Sequence, residues 1–220
     1  MTSPTGMEQG GAKLAAPFLA LLPVDGVAIS ILNTDRRAAL VYASDATATV
    51  LEEAHFDLGE GPVFDSFESE TAVFVPAVAA DRRWPHFLSR AQAANAAAVF
   101  VFPLSFGAAC VGTVLCYRAE PGELSPAAAE LGMDLSRAVA GPAFRQAMIL
   151  ARDEEPDGST PGELRREVHQ ATGMVLLQLD VSATDAVARM RAYAFSHGVT
   201  LREVAHDVVA RRLDFSTVND

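Results

Sequence analysis

Residues 168–179 read VHQATGMVLLQL, an apolar-striped run whose spacing predicts a helix and whose Gly173 interrupts it. Extended upstream, the apolar positions Leu164, Val168, Ala171, Val175 and Leu179 recur at spacings of four, three, four and four. That rhythm gathers them on one helical face. Thr160 stands just before Pro161 and three residues before Glu163, a capping box with proline at the first helical position. Two more starts follow. Ser182 precedes Asp185 by three and Thr200 precedes Glu203 by three, with Gly198 as the left-handed stop between them. Val187, Met190 and Ala194 line the second helix, and Val204, Val208 and Leu213 the third. Residues 163–215 therefore read as an all-α bundle of three helices. A glycine inside a helix costs about 1 kcal/mol relative to alanine, so Gly173 needs a reason. In so small a bundle the expected one is close approach of the second or third helix. Approach of a ligand backbone, or plain tolerance, stays open.

The rest of the chain has a different texture. At 220 residues and 50% hydrophobic it is globular, and no apolar run reaches the roughly 18 residues of a membrane helix. Lys13 precedes an apolar stretch, but Glu8 and Asp25 flank it and the stretch is short, so residues 13–22 read as an amphipathic helix rather than a leader. The composition breaks at 151–162, ARDEEPDGSTPG, where two prolines, two glycines and four acids mark a solvated linker. Upstream, GVAISILN (26–33) and AALVYAS (38–44) form a hairpin around NTDRR, and TAVFVPAV (71–78) is a third strand. AAAVFVFPLSF (96–106) and CVGTVLCYR (110–118) pair around Gly107. Helical stretches fall at 13–22, 45–55, 84–95 and 126–150, the last with Ser125 as N-cap and Pro126 at N1. This is an α+β pattern, one antiparallel sheet covered by helices.

Two resemblances follow from quoted residues. Gly59-Glu60-Gly61-Pro62, then Asp81 with Trp84-Pro85 and Phe87, then Pro103-Leu104 before the last hairpin, resemble the GAF domain of the actinobacterial type over residues 10–150. Gln170-Ala171-Thr172-Gly173-Met174, Ser182-x-x-Asp185-Ala186, Met190-Arg191-x-Tyr193-Ala194 and Leu201-x-x-Val204-Ala205-x-x-Val208-Val209 resemble the ANTAR domain, an RNA-binding antiterminator module, over 163–213. The expected organisation is a GAF-like sensor domain at 10–150, a linker at 151–162 and an ANTAR-like bundle at 163–215. The second resemblance implies binding of paired stem-loops in a nascent transcript, and hence transcription antitermination. Two loops imply a homodimer, expected through helix 126–150 and the apolar stripe of helix 163–179. The first implies a small-molecule or protein ligand. Thr172 stands where the ANTAR family commonly has lysine, which puts one phosphate contact in doubt.

Charge bears on the same reading. Residues 1–160 carry a net −10, whereas residues 161–215 balance seven arginines against seven acids and hold three of the five histidines. Any nucleic-acid contact is thereby confined to the C-terminal segment. Its basic residues are Arg and His only, groups suited to directional contacts. Unstacked RNA bases are held on aromatic or guanidinium planes. The candidate RNA contacts are Arg165, Arg166, His169, Thr172, Gly173, Arg191, Tyr193 and Arg202. Arg211 and Arg212 fall to the end of the last helix. The competing reading makes these residues solvated faces, with Tyr193 at the core edge, in a ligand- or partner-binding regulator without RNA binding.

Chemistry has no visible carrier. Cys110 and Cys116 lie six apart on a strand, hence on one face, and only His55 and His86 could join them on a metal, so they read as buried structural residues of a cytoplasmic protein. No catalytic triad order, P-loop, dinucleotide turn or HExxH occurs. No cofactor, metal, enzymatic activity or membrane partner is expected. A cysteine-dependent enzyme on the GAF-like domain is the remaining rival.

Overall fold

The computed structural model describes residues 6–33, 38–107, 109–153 and 161–217, with side chains omitted for 6–9, 151–153, 161–166 and 195. Contacts divide the chain into two compact units, Met1–Asp153 and Glu154–Asp220. Part of the expected linker is helical at both edges, and residues 154–160, Thr160 included, lie outside the described residues, as do 34–37 of the first hairpin.

The N-terminal unit is a five-stranded antiparallel sheet in the order β2-β1-β5-β4-β3. Its strands are β1 (Gly26–Leu32), β2 (Ala38–Ala43), β3 (Val73–Val75), β4 (Ala98–Phe106) and β5 (Ala109–Arg118). Helices α1 (Gly6–Leu21) and α5 (Pro126–Asp153) pack on one face. Helices α2 (Ala46–Leu58), α3 (Pro62–Ser69) and α4 (Pro85–Ala93) cover the other. Two cores result. Val27, Ile29, Val114 and Cys116 point toward α1 and α5, while Ala28, Leu115 and Tyr117 point toward α2–α4. Double coverage explains why the central strands are apolar runs rather than alternating ones. Pro103 is tolerated inside β4 because β3 pairs only with Val99–Val101. Beyond that point its missing N–H breaks no ladder bond on that side.

The cysteine expectation fails at a bulge. Leu104 pairs with Gly112 but Ser105 pairs with Cys110, so Val111 is an extra residue in β5. Val111 packs into the same core as Cys116 although the two are five positions apart along the strand. The even spacing of Cys110 and Cys116 therefore no longer places both on one face. Burial pushes both thiols up. Since the thiolate is the nucleophile, neither is poised as one.

Two quoted motifs meet in space. Glu60 Oε1 accepts the N–H groups of His86 at 2.9 Å and Phe87 at 3.1 Å, capping α4 from a distant loop. Asp81 accepts the N–H groups of Arg82 and Arg83 and pairs with the Arg83 guanidinium, which sits 4.4 Å over the Trp84 ring. The Arg83 bond holds the Asp81 carboxyl down at about 2.

His55 is the buried polar group of this unit with a testable consequence. Its Nδ1 lies 2.7 Å from the Leu51 carbonyl oxygen and so donates to it, while Nε2 has no hydrogen-bond partner. Phe87 and Phe64 pack on the ring. Burial lowers its pKa from 6.5 to about 3. The unfolded chain therefore takes up the proton first, and stability falls as pH drops below 6.5 toward 3. Between pH 7.5 and 5 the expected loss is about 2 kcal/mol. Asp81 titrates below this window and adds nothing to the slope. Urea midpoints followed by emission of Trp84, the sole tryptophan and a member of the same core, should show the slope. His55→Leu should flatten it, and an unchanged slope would show that other groups set the acid response.

The C-terminal unit has three helices, α6 (Pro161–Leu179), α7 (Ala183–His197) and α8 (Leu201–Val209). Val168, Ala171 and Val175 meet Ala186, Met190 and Ala194 and Leu201, Val204, Ala205 and Val208 as its buried apolar residues. Ser182 Oγ accepts the Asp185 N–H, and Thr200 and Glu203 form the full capping box. Gly198 stops α7 at φ 66. After α8, the N–H groups of Arg212 and Leu213 donate to the Asp207 carbonyl, and the Arg212 side chain pairs with the Asp207 carboxylate. Val168, Ala171 and Val175 of the α6 stripe are thus consumed within their own unit and are not free to serve the homodimer expected through it.

Candidate nucleic-acid interface

On α6 the inward residues leave Glu167, His169, Gln170, Gly173 and Leu177 on the solvent side, Leu177 at 81% exposure. Thr172 does not join them. It is buried, and its hydroxyl donates to the Val168 carbonyl at 2.7 Å. Four residues separate Thr172 from Val168, which turns it toward the core side of the helix. The candidate contact at Thr172 is therefore withdrawn. His169 is exposed. Arg165 and Arg166 lie on α6, with their side chains outside the described residues.

Gly173 is exposed, and a Cβ added there would meet no atom within 4 Å beyond its own helix. Close helix packing, the expected reason for it, is not the reason within this unit. Gly173→Ala should raise the stability of the helical unit by about 0.8–1 kcal/mol, the helix propensity difference, as read by thermal unfolding. A decrease would expose a contact absent from this structure.

Helix α7 separates two candidates that the sequence listed together. Arg191 and Tyr193 are two residues apart, about 200° around a helix, so they face different directions. Tyr193 is half-buried. Its ring meets the edge of buried Phe215 at 5.5 Å, and His197 stacks on it at 3.9 Å. This core-edge placement matches the competing reading of Tyr193. His197 was missed, although its spacing of four from Tyr193 was the available signal. On α8, Arg202 is exposed and shares a face with His206, four residues on. His206 Nδ1 lies 2.7 Å from Glu167 Oε1, joining α8 to α6. Arg211 and Arg212 are exposed beyond α8.

In the N-terminal unit an open cleft of about 360 Å³ lies against α4, lined by Val78, Arg82, Leu88 and Gln92 among others. Among the described residues no group of three His, Cys, Asp or Glu could hold a metal, and no helix is long and apolar enough to cross a membrane.

Comparison with known proteins agrees with both units. Residues 163–209 match the ANTAR domain. The N-terminal unit is similar to a domain of a two-component sensor histidine kinase protein from Sinorhizobium meliloti, at 16% identity and a TM-score of 0.53, covering 69% of this chain and 100% of that one. It is similar to the GAF domain of a two-component sensor histidine kinase from Bacillus halodurans, at 9% identity and a TM-score of 0.51, covering 66% and 99%. A GAF domain/HD domain protein from Geobacter sulfurreducens aligns at 15% identity and a TM-score of 0.50, covering 66% and 95%. At these identities the likeness shows the fold alone. No curated protein matches by sequence. The chain thus joins a unit of the GAF fold to a C-terminal segment that matches the ANTAR domain.

Proposed function

We propose that this protein is a transcription antitermination regulator whose helical unit binds paired RNA stem-loops under the control of its GAF-fold unit. The observation that carries the reading is the ANTAR match over 163–209, a family of RNA-binding antiterminators. Stabilising an antiterminator hairpin against a terminator lets transcription continue. The controlling signal is a small molecule or protein bound by the GAF-fold unit, in a cytoplasmic, non-enzymatic regulator.

The RNA contacts are Arg165, Arg166, His169, Gly173, Arg191, Tyr193 and Arg202, with Thr172 left out for its burial. Guanidinium groups here supply forked contacts to phosphates and base edges. Two loops ask for two bundles. The homodimer forms through α5, where Phe144, Met148 and Ile149 remain exposed. The acidic N-terminal unit repels unspecific nucleic acid.

The test is binding of the full chain to RNAs with two short hairpins, one hairpin, or scrambled loops, at one fixed salt concentration. Binding should need both hairpins, and Arg166→Ala and Arg191→Ala should each weaken it by about tenfold, the worth of one charged hydrogen bond. Gly173→Ala should weaken it too while stabilising the fold. The balanced charge of residues 161–215 favours a second reading, a ligand- or partner-binding regulator without RNA binding. Weak, uniform binding of every RNA would establish that one instead.

A further inference from the structure

The ring pair on α7 has one side committed and one side open. Tyr193 and His197 lie ring on ring, centroids 3.9 Å apart and 15° from parallel. Tyr193 is fixed from behind by Phe215, whose N–H donates to Gln178 Oε1 at the end of α6. His197 is exposed, and its Nδ1 lies 3.0 Å from the Tyr193 carbonyl oxygen and 2.9 Å from Ser196 Oγ. A carbonyl only accepts, so Nδ1 carries a proton toward it, and the imidazole is held in its plane. The helix then stops at Gly198, where an added Cβ would meet no atom within 4 Å. Arg189, one turn before Tyr193, is exposed on the same face.

Holding an exposed side chain in one rotamer costs conformational entropy. A histidine at a helix C-terminus complements the helix dipole, but any rotamer would serve that end. A parallel stack with one face on a tyrosine and the other in solvent is instead the form of a base platform. Unpaired RNA bases are held on aromatic and histidine rings of this kind, and such stacking tolerates any base because every base has a π-face.

We propose that the outer face of the His197 ring receives one unpaired base of an RNA loop, with Tyr193 as the second layer of the stack and Arg189 supplying a cation for the adjoining phosphate. This inference rests on the RNA-binding reading and narrows it to one ring. It also assigns Tyr193 a backing role in place of direct contact.

The experiment uses the full chain and an RNA that it retains from a pool of two-hairpin RNAs with randomised loops. His197→Ala should bind that RNA roughly tenfold more weakly at fixed salt. His197→Phe, which keeps a ring without the imidazole nitrogens, should bind within about threefold of the parent. With 5-iodouridine in the loops, ultraviolet light should cross-link the RNA to the peptide carrying Tyr193 and His197. Unchanged affinity of His197→Ala would overturn the platform and leave the RNA-binding reading standing. Equal losses in the Ala and Phe variants would overturn it too, since the contact would then be a polar ring edge. If the parent chain retains no RNA from the pool, the RNA-binding reading fails, and the platform fails with it.

Discussion

Gly112→Ala is expected to destabilise the sheet-bearing unit by about 3 kcal/mol or more, the upper end of what overpacking costs. The added Cβ would stand 2.1 Å from the main-chain oxygen of Ser30 and 2.9 Å from the Ile31 Cα. Both atoms belong to β1, which pairs with β5 along its length. A flexible side chain could swing away from such a methyl. Backbone in the middle of a two-sided core cannot, so the β1–β5 pairing itself would have to part. Domains hold only about 5–15 kcal/mol in all, and the urea midpoint read from Trp84 emission should fall by roughly 1–2 M. Gly107→Ala is the control. Its Cβ would meet nothing within 4 Å at φ 65, so it should cost only about 1–2 kcal/mol, the price of a left-handed alanine. Equal midpoints for the two variants would mean that the bulge at Val111 absorbs the methyl.

Met190→Ala should cost the helical unit about 2–5 kcal/mol. Met190 is fully buried, one helical turn from Ala186 and from Ala194. Its neighbours on that face are small, so little remains to fill the space a truncated side chain leaves. A unit of this size has a small core to draw on, and the substitution should leave α6–α8 largely unfolded at 37 °C. Amide exchange would show it directly. Protection should collapse across 168–208 while the Trp84 transition of the other unit stays in place. A Trp84 transition that moves in parallel would show that the two units unfold as one.

What could be read from the sequence was mostly what neighbouring residues decide. Ser182, Gly198 and Thr200 mark helix ends through bonds that span three or four residues, and each acts as the pattern implies. The apolar strands were legible for the same reason. Helix α3 was not, because eight residues opened by Pro62 carry too short a period to register. Cys110 and Cys116 were misplaced because one inserted residue, Val111, inverts the alternation. No local rule announces that insertion. The candidate interface was harder still. Thr172 and Gly173 are adjacent, yet one turns into the core and the other into solvent, and only the position of α7 and α8 decides which. His197 carries no signal by itself, since its place comes from the ring of Tyr193 one turn earlier.

The order of strands also sets a schedule for how the chain acquires its shape. Residues of β1 meet partners in β5 that lie 81 to 91 positions away, so the central pairing cannot begin until most of the N-terminal unit has been synthesised. Closing so long a segment slows folding relative to structures made of local contacts. The helical unit is of the local kind; its longest described side-chain bond, Glu167 to His206, spans 39 residues. Emerging after the sheet-bearing unit, it should fold in microseconds to milliseconds. Translation pauses after residue 118 would therefore affect the yield of the sheet, and pauses near the C-terminus would not.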